Sequence, residues 1–180
     1  MISKREYRAA QREALRFLKR AGIILTKKEK EKIEVADFGL GDLRRTGLQL
    51  LTYVNTQRVC AKELVLFPNQ TCPEHMHPKV GRDPGKEETF RCRFGTVYLY
   101  VPGKKTPRPR CKPPPGRESF YTVWHEIRLR PGEQYTLKPQ TLHWFQSGRK
   151  GAIVSEFSTR SIDEKDLFTD PSIKRKTEIF

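Results

Sequence analysis

The sequence predicts a mainly β protein, a jelly-roll barrel with short helices at its N-terminus and a short helix near its C-terminus. Three observations carry this expectation. Short runs rich in Val, Leu, Tyr and Phe recur from Leu48 to Ser158, set off by Gly, Pro and Asn at intervals of about eight to twelve residues. Helix-period patterning is confined to the two ends, and no fixed-period repeat is visible. The length of 180 residues suits one domain spanning 1–180, with helical cover over 1–33, the barrel over 34–160 and a helix and tail over 161–180.

The elements follow in order. Ser3-Lys4-Arg5-Glu6 has the form of a capping box, in which hydroxyl and carboxylate satisfy each other's backbone N–H groups. A helix to about Ala21 would gather Tyr7, Ala10, Ala14, Phe17, Leu18 and Ala21 on one side, and Gly22 would stop it. Thr26-Lys27-Lys28-Glu29 repeats the signal for a second helix ending near Ile33. Strand-like runs then appear at Leu48–Asn55, Arg58–Phe67, Thr96–Val101, Phe120–Leu129, Tyr135–Lys138 and Ala152–Ser158, with Gly95 and Gly148 as breaks. Residues 102–118, rich in Pro, Lys, Arg and Gly, read as a long irregular loop inside the barrel rather than a linker, because strand patterns resume at once. Ser161-Ile162-Asp163-Glu164 is a third S-x-x-E and predicts a short helix near Lys165–Phe168; the tail beyond it reads as peripheral.

Charge and composition narrow the function classes. Lys and Arg number 36 against 21 Asp and Glu, a formal net charge of +15. The positive residues are spread along the chain and fit solvated faces, and no nucleic-acid-binding signature accompanies them, so a nucleic-acid partner is not expected. No run approaches the roughly 20 apolar residues of a membrane span, and Met1–Arg8 lacks the apolar core of a secretory signal, so the expected location is the cytoplasm. Cys60, Cys72, Cys92 and Cys111 form no C-x-x-C pair and read as reduced thiols.

The stretch from Cys72 to Gly95 organises the rest. His75 and His77 sit one residue apart, and on a strand residues i and i+2 face the same way, so both imidazoles can converge on one ion. Ten residues separate His77 from Glu88 and six separate Glu88 from Gly95. This H-x-H followed by E-(six)-G resembles the first motif of the cupin family, with a longer hairpin than the usual three or four residues. Glu87 adjoins Glu88; Glu88 is preferred for its offset from Gly95 and because it shares parity with Phe90, Cys92 and Phe94. Gly132, Pro139 and His143 loosely resemble the second cupin motif, and His143 would supply a third imidazole. The resemblance thus implies a metal held by His75, His77, Glu88 and His143. Nitrogen and oxygen donors without thiolate suit manganese(II) first, with cobalt(II), iron(II), nickel(II) or zinc(II) as alternatives. Two neighbouring imidazoles tolerate a second proton poorly, so metal affinity is expected to fall as the imidazoles protonate. His125, between Trp124 and Glu126, reads as structural.

Lys62–Pro68, the H-x-H, Pro84–Phe90 and Val154–Arg160 together resemble the cupin-type D-lyxose isomerases over about residues 33–168. The resemblance implies a metal-dependent aldose–ketose isomerase interconverting D-lyxose and D-xylulose, with D-mannose and D-fructose as a second pair, acting as a homodimer. Lys62 shares a strand face with Leu64 and Leu66, and Glu156 shares one with Val154 and Ser158. A lysine and a glutamate among apolar barrel positions cost free energy unless paired or used. Moving a proton between C2 and C1 through a cis-enediolate needs a base, for which Glu156 is the candidate. It also needs a donor for the oxygen gaining charge, for which Lys62 is the candidate. Lys86 and Arg160 are candidates for contacts to sugar hydroxyls. A cupin sugar-phosphate isomerase, an oxygen-using iron enzyme and a non-catalytic metal- or sugar-binding cupin remain the competing readings.

Overall fold

In the computed structural model, which describes residues 1–180, the chain orders two helices, α1 (Lys4–Arg20) and α2 (Lys27–Glu31), before nine strands. These are β1 (Glu34–Ala36), β2 (Leu48–Asn55), β3 (Cys60–Leu66), β4 (Thr71–Met76), β5 (Glu88–Val101), β6 (His125–Leu129), β7 (Gln134–Leu137), β8 (His143–Ser158) and β9 (Leu167–Phe168). Both capping boxes form: Glu6 N–H donates to Ser3 Oγ at 3.2 Å while Ser3 N–H donates to Glu6 Oε2 at 2.8 Å, and Thr26 and Glu29 repeat the exchange. Gly22, with φ 73°, ends α1 as expected.

All strand pairs are antiparallel, and the sheet is organised about β8. One path runs β1-β2-β3-β8-β4-β9, while β5 pairs with β8 along most of its length and also carries β6 and β7. The curled sheet encloses an apolar interior that includes Leu48, Leu50, Leu64, Phe90, Cys92, Leu99, Phe145 and Val154. Outside it, Ala10, Ala14, Phe17 and Leu18 of α1 pack on Leu51, Val65, Phe67 and Ile153. A third apolar group, with Tyr100 stacked on Trp144 at 3.9 Å, lies with Cys111 of the Pro-rich loop.

Two strands are longer than their sequence punctuation suggested, because their glycines lie within them. β5 passes through Gly95 and β8 through Gly148 and Gly151 without ending. A Cβ on Gly95, at φ 70°, would lie 2.0 Å from the Gly151 carbonyl oxygen, so the strands cross at a point only glycine allows. The same region corrects the expected parity of Phe94. Cys92 pairs with Val154 and Phe94 with Ile153, so Arg93 is the extra residue of a bulge. The side-chain alternation flips there, and Phe94 packs edge-on against Phe17 of α1 rather than inside the barrel.

The C-terminal expectation also needs correction. Residues Asp163–Lys165 make only a 3-10 turn, and Leu167–Phe168 is a strand paired with His75 and Met76. Ser161 caps no helix because its hydroxyl is bound by Lys62 and Asp163. Phe120–Tyr121 likewise belong to a 3-10 turn and its exit, leaving His125–Leu129 as the strand. No helix is long and apolar enough to cross a membrane.

Candidate active site and metal centre

The antiparallel pairing of β4 with β8 sets His75 directly opposite His143. His77 follows His75 by one turn of the pleat, and the hairpin beyond it returns to Glu88 at the first position of β5. Gly85 permits that return: at φ 101°, a Cβ there would lie 2.6 Å from the His77 carbonyl oxygen. The three imidazoles are buried, with ring centroids 4.3 Å apart for His75–His143, 5.0 Å for His75–His77 and 5.5 Å for His77–His143. One ring nitrogen from each lies within 4.8 Å of the others. Glu88 Oε1 stands 3.1 Å from His77 Nε2 and 3.2 Å from His143 Nε2. Glu87, its neighbour, is exposed.

The Nδ1 atoms fix how the rings are used. His75 Nδ1–H donates to the Pro73 carbonyl at 2.7 Å, His143 Nδ1–H to the Thr141 carbonyl at 2.9 Å, and His77 Nδ1–H to Asp166 Oδ1 at 2.6 Å. With Nδ1 engaged in this way, each Nε2 turns toward the others, the position from which a bound cation would take its lone pair. His143 Nε2 is buried and has no hydrogen-bond partner. That unpaired nitrogen, beside two further imidazole nitrogens and a carboxylate, completes a donor set that a divalent cation satisfies. Three buried histidines could therefore hold a metal.

The charges agree. Burial, with the neighbouring rings, holds His75 well below the usual imidazole range, and burial takes His143 down to about 4. Burial and Lys86 oppose a proton on His77 as well, but Glu88 and the bond to Asp166 outweigh them and push it up to about 9. Burial raises Glu88, yet Lys86 and His77 hold it well below the carboxylate range. With no metal bound, burial and the neighbouring charges thus favour a proton on His77 over one on His75 or His143.

Glu156 and Lys62 are direct partners across the β3–β8 ladder and line one cavity with His75, His77 and Glu88. They are not hydrogen-bonded to each other. Lys62 Nζ donates to Ser161 Oγ at 2.9 Å and to Asp163 Oδ1 at 2.8 Å. Lys86, expected only as a hydroxyl contact, is the central cation: its Nζ lies 2.8 Å from Glu88 Oε2 and 3.0 Å from Glu156 Oε1. Ser158 Oγ also donates to Glu156 Oε1. Burial alone would lower both lysines, but Glu156 with Asp163 raises Lys62, and Glu156 with Glu88 raises Lys86 well above its ordinary value. Arg160 does not line the cavity. It is exposed and bonded to Gln57, at the edge of a small side pocket that Lys86 and Asp166 share. His125 is remote, with Nδ1 on the Lys104 carbonyl.

Four cavity-lining residues of the C-terminal segment went unread in the sequence. Asp163, Asp166 and Phe168 line the cavity, and so does Arg175, from the tail expected to be peripheral. Arg175 bonds Glu34 and Asp163, and the Phe168 ring lies 5.4 Å from His75. Their only local signal was apolar Phe168 two residues beyond Asp166 in a charged stretch.

The barrel is a cupin-type fold of the kind sugar isomerases use. L-ribose isomerase of Cellulomonas parahominis superposes with a TM-score of 0.84 over 99% of this chain and 98% of its own, at 19% identity. The L-ribose isomerase of Acinetobacter sp. DL28, solved with L-ribose, gives the same score and coverage at 19% identity. At such identity the likeness establishes the fold. No protein-family model matches the chain. Sequence relatives go further. A D-lyxose/D-mannose isomerase of Thermosediminibacter oceani is 66% identical over 179 residues, 99% of both chains. D-lyxose ketol-isomerases of a Thermofilum species and of Cohnella laeviribosi are 62% and 61% identical, over 99% and 94% of this chain and 99% and 93% of theirs. The chain belongs to the D-lyxose ketol-isomerase family and is an aldose–ketose isomerase.

Proposed function

We propose that the protein interconverts D-lyxose and D-xylulose, and D-mannose and D-fructose as a second pair, in a manganese(II)-dependent reaction. The observation that carries this reading is one cavity lined jointly by His75, His77, Glu88, Lys62 and Glu156, with His143 behind them. The names of the relatives supply the sugars. His75, His77, Glu88 and His143 would hold the ion. Their nitrogen–oxygen set suits manganese first, and cobalt(II), iron(II), nickel(II) or zinc(II) next. When bound, such an ion supplies Lewis acidity toward two adjacent sugar oxygens.

The chain's own groups account for the proton. Glu156 takes the hydrogen from C2 of the open-chain aldose, the electron pair moves into the C1 carbonyl, and a cis-enediolate results. Glu156 returns the same proton to C1 while the O2 hydroxyl proton is released to O1 and the C2 carbonyl forms. Lys86 aims the carboxylate at this task, since its ammonium holds Oε1 of Glu156 and Oε2 of Glu88 together. Lys62, kept charged by Asp163 and Glu156, donates toward the oxygen that gains negative charge. Apolar walls from Leu48, Leu50, Leu64, Phe38 and Phe168 limit water at the reacting carbons.

The cavity disfavours a phosphorylated sugar. Its lysine and arginine side chains are already matched: Lys62 to Asp163, Lys86 to Glu88 and Glu156, and Arg175 to Glu34 and Asp163. A phosphate would enter with no free positive partner. Four buried, unpaired cysteines accord with a reducing compartment, which supports the cytoplasm. The test is to strip the protein of metal, restore manganese, and assay ketose from D-lyxose, D-mannose and their phosphate esters. Ketose from the free sugars alone is expected. Turnover of the phosphate esters in preference, or no ketose from D-lyxose, overturns the proposal.

A further inference from the structure

Asp166 stands between the 3-10 turn and β9, with its side chain only 8% exposed. Its one side-chain hydrogen bond accepts Nδ1–H of His77 at 2.6 Å. A carboxylate held out of water by a single partner destabilises a fold. Orientation alone does not require it, because the Pro73 and Thr141 carbonyls fix His75 and His143 without any buried charge. What a carboxylate adds over a carbonyl is negative charge on the far side of the ring, which makes Nε2 a stronger electron donor. The site has a reason to need that. Lys86 Nζ, 2.8 Å from Glu88 Oε2, draws electron density from the one carboxylate in the ligand set.

We propose that Asp166 is a positioning residue for the metal centre, orienting His77 and strengthening its Nε2 as a ligand through charge. The inference rests on reading His75, His77, Glu88 and His143 as metal ligands. The segment carrying Asp166 is tied down independently, through Asp163 to Lys62 and through Asp170 to Arg117, so the site can lose the Asp166 charge without losing the segment.

The experiment measures manganese(II) affinity by calorimetry on metal-stripped protein for wild type, Asp166→Asn and Asp170→Asn. Asp166→Asn, which can still accept the Nδ1 proton, is expected to weaken binding by about 10–100-fold. Asp170→Asn, which perturbs the same segment away from His77, is expected to stay within about threefold of wild type, since it touches no ligand. Unchanged affinity in Asp166→Asn overturns the inference, and so does an equal loss in Asp170→Asn, which would mean simple loosening. Wild-type protein that takes up no divalent ion overturns the metal-centre reading itself, and this inference with it. A second measurement needs no variant. In the zinc-loaded protein, the Nδ1 proton of His77 should resonate clearly downfield of those of His75 and His143, because its acceptor is charged. Coincident resonances overturn the proposal.

Discussion

Glu156 faces Lys62 across the β3–β8 ladder, yet its hydrogen bonds run to Lys86 and Ser158. That arrangement separates two jobs that a simple ion pair would merge. Lys86 fixes the direction of the carboxylate, and Lys62 is left to Asp163 and to whatever oxygen enters the cavity. Glu156→Gln keeps the shape and one acceptor for Lys86 but cannot carry a proton. It is expected to lower kcat by about 10²–10⁴-fold, with metal affinity close to wild type and a lower melting temperature, because the buried pair with Lys86 is broken. Near-normal kcat in that variant removes Glu156 as the base. The residues read in advance share a property: their spacing along one strand or hairpin is itself the signal, as in His75-Met76-His77 and Glu88-(six)-Gly95. Asp163, Asp166 and Arg175 lack it. Asp166 lies 89 positions from the histidine it orients, and an acidic residue in a charged stretch looks the same whether solvated or buried.

At the scale of elements, the strands were legible where alternation is clean and illegible where it is broken on purpose. The bulge at Arg93 turns Phe94 outward, and β5 and β8 run on through Gly95 and Gly148, where the sequence reads as broken. The segment after β8 was misread for a chemical reason. Ser161-x-x-Glu164 has the letters of a cap, but Lys62 takes the serine hydroxyl, and Asp163 is drawn into the cavity mouth. Burial raises the Asp163 carboxyl, but Lys62, then Lys86 and Arg175, hold it far below the carboxylate range. A carboxylate depressed in the folded state adds stability above its unfolded value of about 3.9, and that stability is lost as pH falls below it. Asp163→Asn should therefore destabilise the protein at pH 7 by roughly 2 kcal/mol, a buried-pair loss discounted for partial exposure. The gap from wild type in urea denaturation should close as pH drops below about 4. A gap that stays constant from neutral to acid pH removes Asp163 as the charged partner of Lys62.

At the scale of the molecule, the four proposed ligands come from the ends of three strands that meet only through β8. His75 is the fifth residue of β4, His77 follows that strand, Glu88 opens β5 and His143 opens β8. The barrel interior lies deeper, around Phe90, Phe145 and Val154, and α1 packs against the far side of the sheet, on Val65, Phe67 and Ile153. An ion bound there ties strand ends that are distant in sequence, and it binds the folded chain alone, since the unfolded chain does not bring His75 and His143 together. At a manganese concentration about 100 times the dissociation constant, this linkage contributes about 2.7 kcal/mol. For a chain of this size the corresponding rise in Tm is about 5–10 °C. Scanning calorimetry of metal-stripped protein with and without manganese should show that rise, and His143→Ala should abolish it even though the apo variant also melts lower than apo wild type. A Tm indifferent to manganese would mean that the histidines, however close, hold no ion that matters to the fold.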